Sequence, residues 1–139
     1  MATTLNCVTS EPRSVAEAGD QPVLNLALFA ELRELDADPD SDGLLRRMVT
    51  RFVEHMRPDL DALREALARM DARTVREIAH SIAGSGGQLG AVQLVEVCRR
   101  VEAAADTGDL SAVPHLVDVL EERYRVARIA VAAEFAHGH

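Results

Sequence analysis

The chain has 139 residues, of which 47% are hydrophobic, 27% charged and only 3% aromatic, so it fits one domain with a core of Ala, Val, Leu and Ile. Its formal net charge of −8 argues against nucleic acid as the main partner, because a phosphate backbone needs clustered Lys and Arg. Two cysteines, Cys7 and Cys98, are too few for a disulfide framework, and no run of roughly 18 apolar residues offers a membrane span. The opening MATTLNCVTSEPRS lacks the basic start and apolar stretch of a secretory signal. A cytoplasmic protein is expected.

Residues 1–22 mix Thr, Ser, Glu, Gly and Pro without periodicity, which reads as a disordered N-terminal tail. A helical domain is expected over residues 23–136. Leu24, Leu28, Leu32 and Leu35 recur at helical spacing and predict a first short helix. The stretch DADPDSDG, residues 36–43, is a loop, with Asp40, Ser41 and Asp42 as candidate N-caps for the next helix. That second helix is expected from about Asp42 to Met70. Its stripe runs Leu45, Met48, Val49, Phe52, Met56, Leu60, Leu63, Leu67 and Met70. The stripe keeps phase across Pro58, so a kink is expected there rather than a reversal.

Asp71 is placed to cap a third helix, whose inward positions are Val75, Ile78, Ile82, Ser85 and Leu89. A fourth helix comes after Gly90, with Leu94, Val97, Cys98, Val101, Ala104 and Ala105 on one face and Gly108 as its C-terminal glycine. There Cys98 reads as a small buried hydrophobe. A fifth starts near Ser111, tolerates Pro114 in its first turn and carries Val113, Leu116, Val117, Leu120, Tyr124, Ala127 and Val131 inward. Nothing alternates with period two, so strands are not expected. The fold class is all-α, an antiparallel up-down four-helix bundle with a short additional N-terminal helix.

The stretch that raises a functional question is AHSIAGSGGQLGA, from Ala79 to Ala91. His80 lies between Ile78 and Ile82, about 200° from each around the helix, and so faces away from the core stripe. Its neighbours at i+3, i+4 and i+7 are Ala83, Gly84 and Gly87, all small. Glycines in a helix cost roughly 0.8–1 kcal/mol each relative to Ala. Their presence suggests a surface cleared so that a partner reaches the imidazole. A neutral, exposed imidazole is suited to accepting a group from another macromolecule.

Two other readings of these residues are weaker. GSGGQLG does not match a dinucleotide fingerprint, since its third glycine falls one position late, and no GK[ST] is present. EIAH, Glu77 to His80, and EFAH, Glu134 to His137, have the E-x-x-H form of di-metal carboxylate bundles. Those ligands must point inward, whereas His80 points out, and His137 lies near the chain end. No metal ligands are assigned. His55, His115, His137 and His139 read as ordinary helix or surface residues.

Ala79, His80, Ser81, Ile82, Ala83, Gly84, Ser85, Gly86, Gly87, Gln88, Leu89 and Gly90 together resemble the motif of the histidine-containing phosphotransfer (HPt) domain family. The resemblance extends over about residues 24–133 and includes the step from Cys98 to Glu102. It implies a phosphoryl carrier without ATP-dependent kinase activity of its own. His80 Nε2 would take a phosphoryl group from a receiver-domain phospho-aspartate and pass it to another receiver aspartate. The partners implied are response-regulator receiver domains or a hybrid histidine kinase, with Mg²⁺ held by the receiver and no cofactor here. A monomer is expected. By position, Glu102 would orient the ring through Nδ1. Ser81, Ala83, Gly84, Gly87 and Gln88 would lie in the docking surface. The family usually carries a lysine three residues after the histidine, where this chain has Ala83. Arg76, Arg99 and Arg100 are candidate replacement cations. That departure leaves open an adaptor that binds receivers without being phosphorylated.

Overall fold

Short connections dictate the topology. The computed structural model describes residues 22–38 and 43–137. It contains α1 (Leu26–Asp36), α2 (Leu44–Ala68), α3 (Ala72–Gln88), α4 (Val92–Thr107) and α5 (Val113–His137). The last four are joined only by residues 69–71, 89–91 and 108–112, so sequential helices are antiparallel neighbours. α2 packs on α3 and α5, and α4 packs on the same two, which closes an up-down four-helix bundle. The short α1 packs on α2. Among the described residues there is no strand, and no helix is long and apolar enough to cross a membrane.

The core is aliphatic, as the composition requires. Leu45, Val49, Phe52, Met56, Leu60 and Leu63 of α2 face Val75 and Ile82 of α3, Leu94, Val97 and Val101 of α4, and Val117, Leu120 and Val131 of α5. Cys98 is buried with them, and burial pushes its thiol far above the usual range, so it is an inert hydrophobe. α2 passes through Pro58 in one continuous helix. Pro58 cannot donate to the carbonyl four residues back. One position earlier, the Tyr124 hydroxyl donates to the Val53 carbonyl at 3.3 Å, and the Tyr124 ring packs edge-on against Phe52 at 5.6 Å. This weak point of α2 is thereby tied to α5.

Several expectations are corrected at the helix ends. In α1 the fully buried residue is Phe29, alongside Leu24 and Leu32, whereas Leu35 is exposed. The phase is set upstream, where Asn25 caps α1 by accepting from Leu28 N at 3.1 Å. The same Asn25 donates its backbone N–H to Gly90 O at 2.8 Å, docking α1 on the α3–α4 turn. At its other end, Arg33 lies over the Phe29 ring and bonds both the Glu134 carbonyl and its carboxylate. Asp40, Ser41 and Asp42 lie outside the described residues, as do residues 1–21. α2 begins at Leu44, later than expected, with Gly43 at the N-cap in a left-handed conformation (φ 70°). A first-turn donor, Leu45 N, is taken up by Asp36 Oδ1 at 3.2 Å. Met70 is exposed and left-handed (φ 58°), not a core residue. It closes α2 through Met70 N to Leu67 O and Asp71 N to Ala66 O at 2.9 and 3.0 Å, the Schellman pattern.

α3 starts as expected from Asp71, which accepts from Thr74 N at 3.2 Å and from the Thr74 hydroxyl at 2.7 Å. It continues unbroken through Gly84, Gly86 and Gly87 to Gln88. The glycine-rich run is therefore helix, not a loop that cradles phosphate. α3 ends in a second Schellman pattern, with Gly90 left-handed (φ 75°). A Cβ on Gly90 would stand 3.0 Å from Asn25 Cβ, whereas one on Gly84 would meet nothing within 4 Å.

Denaturant unfolding of Gly84→Ala should show a gain of about 0.8–1 kcal/mol, since Ala is the better helix former and has room. Gly90→Ala should lose about 1–2 kcal/mol from the left-handed backbone alone. Stability should also respond to pH at the α3 cap. The Thr74 bonds hold the Asp71 carboxyl below its ordinary value of 3.8. Its stabilisation is thus present above that value and is lost as pH falls through the depressed one. Asparagine caps equally well but does not titrate. The stability of Asp71→Asn relative to wild type should rise between about pH 5 and pH 2, and a difference that stays constant over that range would contradict the assignment.

Candidate functional site

His80 sits in the middle of α3, flanked in sequence by buried Ala79 and exposed Ser81. Its side chain is 69% exposed. The inward side of α3 is carried by Val75, Ala79, Ile82, Ala83 and Gly86, so the core stripe leaves His80 on the opposite side, as its spacing predicted. A rigid helix, rather than a loop, holds the imidazole.

The adjoining α4 supplies the ring's partner. Glu102 Oε2 lies 3.5 Å from His80 Nδ1, and the Glu102 side chain is only 16% exposed. The same oxygen is 3.2 Å from Arg99 Nη1. A carboxylate only accepts hydrogen bonds. Facing Nδ1, it favours the tautomer with the proton there and the lone pair on Nε2, the ring nitrogen on the other side.

What brings Glu102 to His80 is the approach of α4 to α3. Gly86 is buried, and a Cβ there would lie 2.8 Å from Leu94 Cδ2. Its lack of a side chain serves helix packing, not access for a partner. Ala83 is a correction of the same kind. It was expected on the open face beside His80 but is only 2% exposed, because it falls on the small-residue strip with Ala79 and Gly86. It offers no side chain to a docking surface. A longer residue at 83 would have to climb out from a buried Cβ.

The remaining candidates divide by side. Ser81, Gly84, Gly87 and Gln88 are exposed. Gly84 is open, and Gly87 would bring a Cβ only to ordinary contact with Val95. Arg76 pairs with Asp106 at 3.4 Å, Arg99 with Glu102, and Arg100 with Glu96 at 3.5 Å. All three are thus engaged with carboxylates of α4. Of the E-x-x-H residues, Glu77 pairs with Arg73 and Glu134 with Arg33. The His137 side chain lies outside the described residues. Among those described, no group of three or more His, Cys, Asp or Glu is arranged to hold a metal.

One feature was not anticipated. On the other side of α3, an open groove runs between α2 and α3. Ser81, Gly84, Ser85 and Gln88 form one wall, and the polar face of α2, including Arg46, Arg47, Arg51 and His55, forms the other. The sequence RRMVTRFVEH shows that the polar face of α2 is basic, but not which helix it lies beside.

The chain is similar in sequence and fold to known proteins. The Hpt domain profile matches residues 47–130, which includes His80, Glu102 and the whole α3–α4 unit. The structure resembles the crystal structure of histidine-containing phosphotransfer protein B (HptB) from Pseudomonas aeruginosa PAO1 with a TM-score of 0.70 and 30% identity, covering 81% of this chain and 94% of that one. The multistep phosphorelay regulator 1 of Schizosaccharomyces pombe is 25% identical over 83 residues, 60% of this chain. The matched part is 28% of the length of that yeast protein. The described helices, the profile match across most of them and the likeness to HptB agree that this chain belongs to the Hpt domain family.

Proposed function

We propose that the protein is a phosphorelay intermediate in which His80 Nε2 carries the phosphoryl group between receiver domains. Membership of the Hpt family supports a role in phosphotransfer signalling. The observation that carries the finer reading is the placement of Glu102 Oε2 3.5 Å from Nδ1 of an exposed histidine. It leaves Nε2 as the nucleophile.

The step balances with no cofactor on this chain. The Nε2 lone pair attacks phosphorus of a partner's aspartyl phosphate. The P–O bond to the carboxyl breaks, and its electron pair returns to that carboxylate. The product is a phosphorylated imidazolium with its proton still on Nδ1, and Glu102 accepts from that N–H as positive charge develops on the ring. Onward transfer reverses the sequence: a second aspartate attacks phosphorus, the N–P bond breaks and the neutral imidazole is restored. The receiver supplies the Mg²⁺ that neutralises charge on the phosphoryl oxygens. Positioning by the docked pair supplies much of the rate.

Incubation with receiver domains phosphorylated by acetyl phosphate tests the reading. Wild type should acquire acid-labile phosphate, and His80→Gln should acquire none. Binding without transfer would contradict it and favour the adaptor that the missing lysine at position 83 suggests. Glu102→Ala should slow transfer about tenfold, as expected for a lost hydrogen bond to a charged group, with Glu102→Gln nearer wild type because its amide oxygen still accepts. Equal rates for Glu102→Ala and wild type would show that the carboxylate does not orient the ring.

A further inference from the structure

α3 presents His80 between two flanks of different character. On the α4 side the cations are neutralised locally, Arg76 by Asp106, Arg99 by Glu102 and Arg100 by Glu96. On the α2 side, Arg46 and Arg51 are exposed and line the groove whose other wall is Ser81, Gly84 and Gln88. Neither is in a salt bridge among the described residues. Arg51 feels the partly buried Asp59 through space, together with His55, and Glu54 is the other carboxylate in the groove.

Charge makes this flank matter. A protein that holds Mg²⁺ beside an aspartyl phosphate must ring that centre with carboxylates, because Mg²⁺ takes hard oxygen ligands. The present chain carries a formal charge of −8 and repels such a rim at long range. Productive encounter needs a local patch of opposite sign next to the acceptor. Arg76, Arg99 and Arg100 are already neutralised. Position 83 is a buried alanine. Gly84, on the groove wall four residues from His80, has nothing within 4 Å of where a Cβ would stand and adds no side chain between the groove and the imidazole.

We infer that Arg51 and Arg46 of α2 are docking residues, which hold the acidic rim of a receiver domain's phospho-aspartate centre over the α2–α3 groove and so bring its phosphorus to His80. This rests on the reading of His80 as the acceptor. The arginines act on docking, so they govern association with the partner rather than the reactivity of the imidazole.

The test compares Arg51→Glu with Arg128→Glu. Arg128 is an exposed arginine of α5 in a separate groove, and the two variants change net charge equally. Each is assayed with receiver domains of the same genome phosphorylated by acetyl phosphate, and separately with phosphoramidate, a small donor that needs no docking. Circular dichroism checks the fold. Arg51→Glu should lower receiver-driven transfer at least about tenfold, mainly through slower association, with Arg128→Glu close to wild type. Phosphoramidate labelling of His80 should be unchanged in both. A lysine in place of an acidic residue on the receiver's docking face that does not ligate Mg²⁺ should restore transfer to Arg51→Glu, which a merely structural role would not allow. Equal losses in the two variants, or none in Arg51→Glu, would overturn the inference. Should wild type take phosphate from neither donor, the carrier reading fails. Receiver affinity of the same two variants then decides the docking claim by itself, with equal affinities overturning it.

Discussion

α4 lies so close to α3 that a side chain at Gly86 would meet Leu94 at 2.8 Å. Ala79 and Ala83 continue the same strip of small residues at helical spacing, and both are buried. The separation of the two helices, and with it the 3.5 Å between His80 Nδ1 and Glu102 Oε2, depends on that strip. A larger residue at any of these positions would push the helices apart or force a buried side chain off its rotamer, at a typical cost of about 1–3 kcal/mol. Helical glycine is itself unfavourable by roughly 0.8–1 kcal/mol. α3 nevertheless carries three of them and remains a helix, because tertiary packing outweighs local propensity.

The three glycines do different work. Gly86 admits α4. Gly84 and Gly87 face outward and keep the surface beside the imidazole bare. A fourth, Gly90, takes the left-handed backbone that turns the chain and also receives Asn25, which anchors α1. Electrostatics adds a direction to the site. Glu102 of α4 faces His80 Nδ1 and carboxylates of α4 pair with the nearby arginines, while the α2 flank keeps exposed positive charge in an otherwise acidic molecule. Surface ion pairs such as those joining Arg57 and Arg64 to Glu121 contribute little stability individually; they help fix how α2 lies on α5.

Much of this was legible in the residues. The α2 stripe kept phase through Pro58 and the helix is continuous. His80 between two isoleucines had to point outward, and it does. Asp71 and Gly108 cap where their chemistry suggested. Other features depend on tertiary placement that one-dimensional spacing does not encode. A residue at i+3 shares a helix face only approximately, and Ala83 lies far enough round α3 to be covered by its neighbours. Leucine periodicity favoured Leu35 over Phe29, but the Asn25 cap sets the phase of α1. Charged residues named for the phosphate, Arg76 among them, found partners on α4. The basic wall of the groove was visible as composition and invisible as location.

Nuclear magnetic resonance of the phosphorylated protein, reading the coupling between ³¹P and the ¹⁵N nuclei of the His80 ring, addresses the chemistry most directly. Phosphorus bonded to Nε2 with the proton retained on Nδ1 is the expected result, since Glu102 Oε2 faces Nδ1 at 3.5 Å. Phosphorus on Nδ1, or on a residue other than His80, would contradict the assignment of Glu102 as the group that sets the tautomer and of Nε2 as the carrier atom.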